Sequence, residues 1–132
     1  MRLAGKVALI SSGARGMGAA EAAMFCQEGA SVVIGDVLDA EGKALEGTIS
    51  AKGGHIAFVR LDVTREADWK TAVDLAVSRF GKLDVLVNNA GISAELLKWK
   101  AIEVAHELSK SPNSKIIVLG DKSGLPIILT DK

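Results

Sequence analysis

Five short apolar runs, near residues 6–11, 31–36, 55–61, 83–87 and 115–119, alternate with helical patterns near 17–28, 39–52, 65–80 and 94–110. Strands written almost entirely in Val, Ile, Leu and Ala need cover on both faces, and helices placed between successive strands supply it. Right-handed crossovers then give an α/β, doubly wound parallel sheet, most simply in the order 3-2-1-4-5, with a ligand crevice at the carboxyl ends of strands 1 and 4. Punctuation agrees with this reading. Asp39, Thr64 and Ser93 stand where helix N-caps belong, and Gly29 and Gly81 fall just past helix ends. After the fifth run, the segment Gly120–Gly124 is too short for a helical crossover, so the tail Leu125–Thr130 is expected to return as an antiparallel edge strand, with Pro126 at its start.

At 132 residues the chain fits one domain, read here as 1–132. Sixteen basic and sixteen acidic residues cancel, which leaves no electrostatic footprint for nucleic acid or an anionic membrane. The lone cysteine, Cys26, reads as a small buried thiol, and neither disulfides nor a metal site is expected. No apolar run is long enough to span a bilayer and no signal-peptide pattern opens the chain, so the expected location is cytoplasmic.

The most specific local signal is the turn Ser11-Ser12-Gly13-Ala14-Arg15-Gly16-Met17-Gly18, between the run Val7–Ile10 and the first helical pattern. A glycine-rich turn from strand to helix brings bare backbone N–H groups and a helix N-terminus against a pyrophosphate. Asp36 ends the second run, eighteen residues beyond Gly18. A carboxylate there accepts both ribose hydroxyls of an adenosine and repels a 2′-phosphate, which points to NAD rather than NADP. Arg15 has two readings, a phosphate contact or a surface ion pair.

Ser11 to Gly18, Asp36, Asp62-Val63 and Asn88-Asn89-Ala90-Gly91, in this order and spacing, resemble the short-chain dehydrogenase/reductase family, and residues 3–92 are most similar to its NAD-dependent hydroxysteroid dehydrogenase-like members. The resemblance implies a Rossmann-like fold and a dinucleotide partner. It assigns Asp62 to the adenine amino group, Val63 to packing and backbone contacts, and the Asn88–Gly91 segment to the central sheet and the adenosine ribose. With the neighbouring turn residues, the expected cofactor-binding set is Ser11, Gly13, Arg15, Gly16, Met17, Gly18, Asp36, Val37, Asp62, Val63, Asn89, Ala90 and Gly91.

The chain also departs from the family. Ser12 stands at the first glycine of the Thr-Gly-x-x-x-Gly-x-Gly pattern, where a Cβ strains the turn unless Gly13 takes up the unusual backbone angles. The family's general acid/base is a tyrosine, and this sequence holds none; Asp121 falls at the position of the catalytic serine. No catalytic residue is therefore expected, and His55 and His106 have no evident partner. Residues 93–132 read as an atypical closing segment, with a short stretch from Ser111 similar to the C-terminal end of band-7/prohibitin-type proteins, as if two pieces met near Gly91. Trp99 and the tail edge are either packed internally or form the surface of a homodimer. These residues read as an NAD-binding domain without dehydrogenase activity, the alternatives being a structural or engineered module with a degraded site and an oxidoreductase acting on alcohols or ketones.

Overall fold

The computed structural model describes residues 1–89, with the backbone of two later strands at 115–118 and 127–130. Ala90, Gly91, the expected helix at 94–110 with its cap Ser93, Trp99, His106 and Asp121 lie outside the described residues. The elements run β1 (Val7–Ser11), α1 (Gly16–Gln27), β2 (Ser31–Asp36), α2 (Asp39–Ala51), β3 (His55–Arg60), α3 (Glu66–Phe80), β4 (Val85–Asn88), β5 (Lys115–Val118) and β6 (Ile127–Thr130). They form one sheet in the order β3-β2-β1-β4-β5-β6, which is the expected doubly wound order extended by a sixth strand. All pairings are parallel except the last, where Lys115 faces Thr130 and Val118 faces Ile127 in an antiparallel return.

Alternation along the central strands divides the core between two faces. Val7, Leu9 and Val33 point to the face covered by α3, where they meet Trp69, Ala72, Val73 and Ala76. Those four helical positions recur at three- and four-residue intervals, so α3 lays a single apolar stripe on the sheet. Ala8, Ile10, Val32 and Ile34 point to the other face, under Ala22 of α1 and Ile49 of α2. Leu9, Ile10 and Ile34 are completely buried. Each such side chain contributes about 1.5–3 kcal/mol of apolar burial, enough to fix the strand register.

α1 approaches the sheet through small residues only, because Gly18 and Ala22 are its two buried positions. A methyl group on Gly18 would collide with the Ser12 carbonyl oxygen and crowd the Gly13 Cα at 2.9 Å. The helix start is thereby pressed onto the turn that precedes it. Left-handed backbone at Gly29 and Gly81 ends α1 and α3, as read from sequence.

Two of the expected N-caps are not caps. Asp39 is already the first helical residue of α2, and α3 is preceded by Arg65 rather than Thr64; neither helix start has a side-chain cap hydrogen bond. The acids just ahead of each helix do the local work instead. Asp36 Oδ1 accepts the Leu38 N–H at 3.2 Å, and Asp62 Oδ1 accepts both the Thr64 N–H at 2.9 Å and its hydroxyl at 2.6 Å. Such Asx-type contacts order the chain just ahead of each helix.

Candidate functional site

The polar residues of this chain collect where β1, β2 and β4 end, beside the start of α1. β1 and β4 are adjacent although five elements, α1, β2, α2, β3 and α3, separate them in sequence, so the sheet order reverses between them. A crevice opens at such a reversal. Ser11 and Asn88 face each other in register across it.

Ser11 is completely buried, and its Oγ donates to Asn88 Oδ1 at 2.7 Å while accepting the Asn89 N–H at 3.0 Å. This hydroxyl ties β1 to β4 at their carboxyl ends. Asn89 turns its Nδ2 toward two acceptors, the Ser11 carbonyl at 3.1 Å and Glu21 Oε1 on α1 at 2.8 Å. Two acceptors on one side fix the amide orientation, since the flipped form would set oxygen against oxygen. Asn89 Oδ1 is buried and has no hydrogen-bond partner among the described residues. Burial pushes the Glu21 carboxyl above the ordinary glutamate value, against the Asn89 hydrogen bond, which lowers it.

The turn that follows β1 contains two residues in left-handed backbone, Ser12 at φ 53° and Gly16 at φ 59°. The strain expected at Ser12 is therefore borne by Ser12 itself. Gly13 does not absorb it: Gly13 stays out of the left-handed region and is instead pressed on Ile34, whose side chain would lie 2.8 Å from an added Cβ. Around Gly16 nothing lies within 4 Å of an added Cβ, so its backbone faces open space. α1 begins there without a side-chain cap and without an acidic residue in its first turn, whereas α2 carries Asp39 and Glu41 and α3 carries Glu66 and Asp68. Among these three helices, only α1 leaves the positive end of its dipole uncompensated.

Asp36 closes the far side. Its Oδ2 accepts the Ala14 N–H at 3.1 Å, which joins the glycine-rich turn to the end of β2, and its Oδ1 holds Leu38 as described. Each carboxylate oxygen has a second lone pair, so acceptor capacity for hydroxyls remains after both backbone bonds are made. Met17, in the first turn of α1, and Val37, next to Asp36, are exposed apolar side chains, at 65% and 47%. Asp62 is half-buried at the end of β3, in a loop fastened by Asp68, which accepts the Asp62 N–H at 2.9 Å, and by Trp69, whose Nε1 donates to the Val63 carbonyl at 3.0 Å. Val63 itself packs against the α3-side core. Arg15 is exposed at the N-cap position of α1 and forms no ion pair among the described residues.

A model of the short chain dehydrogenase family matches residues 6–120. The chain belongs to that family. The match runs past Gly91, across the place where the sequence reading put a junction. A 3-alpha-(or 20-beta)-hydroxysteroid dehydrogenase of Mycobacterium tuberculosis is 56% identical over 91 residues, 69% of this chain and 34% of the relative. A 2,5-dichloro-2,5-cyclohexadiene-1,4-diol dehydrogenase of Sphingobium indicum is 45% identical over 126 residues, 95% of this chain and 50% of that protein. Among solved structures, a 7 alpha-hydroxysteroid dehydrogenase complexed with NADH and 7-oxo glycochenodeoxycholic acid superposes with a TM-score of 0.83 at 29% identity, covering 89% of this chain and 54% of the other. This short-chain dehydrogenase chain thus spans between a third and a half of the length of these curated relatives.

The sequence reading missed several residues that shape the site. Glu21, Asp68 and Arg60 act through contacts with partners that are remote in sequence or lie outside the family motifs, and only Asp68 carried a signal, as an acid in the first turn of a helix. No cluster of metal-ligating side chains occurs among the described residues, and no helix there is long and apolar enough to cross a membrane.

Proposed function

We propose that residues 1–132 form one dinucleotide-binding unit that prefers NAD(H) over NADP(H) and whose own residues do not carry out dehydrogenation. The observation that supports this most is the pairing of an uncompensated helix start at Gly16 with the Asp36 carboxylate across the same turn. The first suits a pyrophosphate and the second suits ribose hydroxyls. The glycine positions fit a bound dinucleotide as well, because the backbone at Gly16 is open and Gly18 leaves no side chain between helix and turn. In this reading Gly13, Arg15, Gly16, Met17 and Gly18 hold the phosphates, Asp36 and Val37 the ribose, and Asp62, Val63, Asn89, Ala90 and Gly91 the adenosine side. Ser11 serves from beneath, through the strands it joins.

Bound NAD would supply a hydride acceptor. Proton transfer in this family relies on a tyrosine, which the 132 residues lack. A second reading, oxidation of an alcohol or reduction of a ketone, is favoured by the relatives' names, since the cyclohexadiene-diol dehydrogenase above matches along 95% of this chain.

Titration with NADH and NADPH, followed by cofactor fluorescence or calorimetry, tests the proposal. Micromolar NADH binding is expected, weakened roughly tenfold to a hundredfold by Asp36→Ala, the equivalent of losing about 1.5–3 kcal/mol of charge-assisted hydrogen bonding. Ser12→Gly removes a Cβ from the phosphate turn, and tighter NADH binding would mark that side chain as an obstacle, while the about 1 kcal/mol of left-handed strain it relieves is present without cofactor and adds to stability instead. Absence of saturation at millimolar cofactor would sink the binding reading. Cofactor-dependent alcohol oxidation by the pure protein would establish the second reading in place of the first.

A further inference from the structure

The ribose corner contains a cation that the family motifs do not include. Arg60 ends β3 directly opposite Asp36 in the parallel register of β2 and β3. Its Nη1 donates to the Val37 carbonyl at 3.1 Å and to Asp39 Oδ2 at 3.2 Å. The guanidinium thus lies over the turn Asp36-Val37-Leu38-Asp39, the turn that Asp36 itself braces through the Leu38 N–H. An arginine at that place is suited to a phosphate on the adenosine 2′ oxygen, since its fork of donors matches phosphate oxygens. Here it is neutralised by Asp39, and the Asp36 and Asp39 carboxylates outnumber it.

We propose that Arg60 and Asp39 form a second cofactor-selectivity element, in which Asp39 holds an arginine otherwise competent for a 2′-phosphate in a neutralised pair. This rests on the dinucleotide reading above and extends it from one residue to three. Asp36 rejects the 2′-phosphate by direct repulsion, and Asp39 removes the cation that would offset that repulsion. The pair is exposed, with side chains 61% and 49% accessible. Exposed pairs are weak, so a phosphate dianion can displace Asp39 once the repulsion is gone. Selectivity at this corner then depends on how many carboxylates face Arg60, and the arginine changes from bystander to ligand when both are removed.

The test measures the ratio of NADPH to NADH dissociation constants, with 2′-AMP and 5′-AMP as minimal probes, in the full chain. Asp36→Ser should lower the ratio roughly tenfold, and adding Asp39→Asn should lower it by roughly another tenfold, each being one charge contact with phosphate. Adding Arg60→Met to that double variant should reverse the second gain. The gain should also shrink between 50 mM and 500 mM salt, as an exposed charge contact must. Because Asp36 is buried and braces two backbone groups, Asp39→Asn and Arg60→Met are also made singly on the parent chain, where both sites are exposed and folding is safe. Asp39→Asn alone should lower the ratio severalfold and Arg60→Met alone should not. Equal NADPH affinity in the double and triple variants, or no response to Asp39→Asn, overturns the inference while leaving NADH binding intact. Failure of the parent chain to bind NADH or 5′-AMP overturns the dinucleotide reading and this inference together.

Discussion

The tripeptide Leu-Asp-Val occurs twice, as Leu61-Asp62-Val63 and Leu83-Asp84-Val85, and the two copies behave differently. Both leucines are buried, at 2% and 1% exposure. The aspartates diverge. Asp62 leaves β3 at the carboxyl end of the sheet, half-buried, with Oδ1 engaged by the neighbouring Thr64. Asp84 enters β4 at the amino end, 1% exposed, where Oδ2 accepts the Val7 N–H at 2.9 Å and pairs with Lys82 Nζ at 3.2 Å. Its own N–H donates to the Val7 carbonyl, so the residue clamps β1 to β4 from both sides. The same three letters make a rivet at one end of a parallel sheet and a braced, half-exposed loop at the other. In a doubly wound sheet the direction of the strand decides which, because ligands gather at carboxyl ends.

The largest effect that separates the two copies is expected from Asp84→Ala. It leaves the Val7 N–H buried without its acceptor, at a cost of about 1–3 kcal/mol in unfolding free energy, read by denaturant titration. Lys82 stays hydrated and adds little. Nucleotide affinity of the folded fraction should not change, and a loss of affinity without loss of stability would break the contrast. Asp62→Ala should behave in the opposite way, with under about 1 kcal/mol of destabilisation, since its Thr64 donors are exposed and turn to water, but a severalfold weaker NADH affinity by calorimetry. The smallest effect sharpens the picture of the carboxyl end. Burial holds the Glu21 carboxyl above its ordinary value of 4.5, so the folded protein keeps that proton more tightly than the unfolded chain does. Stability contributed this way is present in full at low pH and declines as pH rises from about 4.5 through the raised folded-state value. Glu21→Gln should flatten that decline, and an unchanged stability profile between pH 4 and pH 7 would remove Glu21 from the account.

Much of the frame was legible because its signals are local. The apolar run Val7–Ile10, the glycine turn and Asp36 announce first strand, turn and second-strand end within thirty residues, and the short gap after Gly120 correctly implied an antiparallel return. The helix starts expected from Asp39 and Thr64 were each misjudged by one residue, because Asp36 and Asp62, two or three residues upstream, order the turn that leads into each helix. Gly13 was given a conformational task that Ser12 performs, since Gly13 is wedged against Ile34 of the neighbouring strand. Contacts set by register were out of reach of the sequence. Nothing local to Arg60 shows that it faces Asp36, and nothing near Asn89 shows that Glu21, sixty-eight residues earlier, orients its amide.

β3 is an outer strand of the sheet, and the Phe58 N–H on its open side is held by Glu46 Oε2 from α2. The helix that covers one face thus also plugs the border of the same sheet. A strand arriving from another molecule would have to displace a carboxylate already seated on that donor and then bury it or push it aside. On the β3 side, a backbone donor that an incoming strand would need is already taken by the protein's own carboxylate.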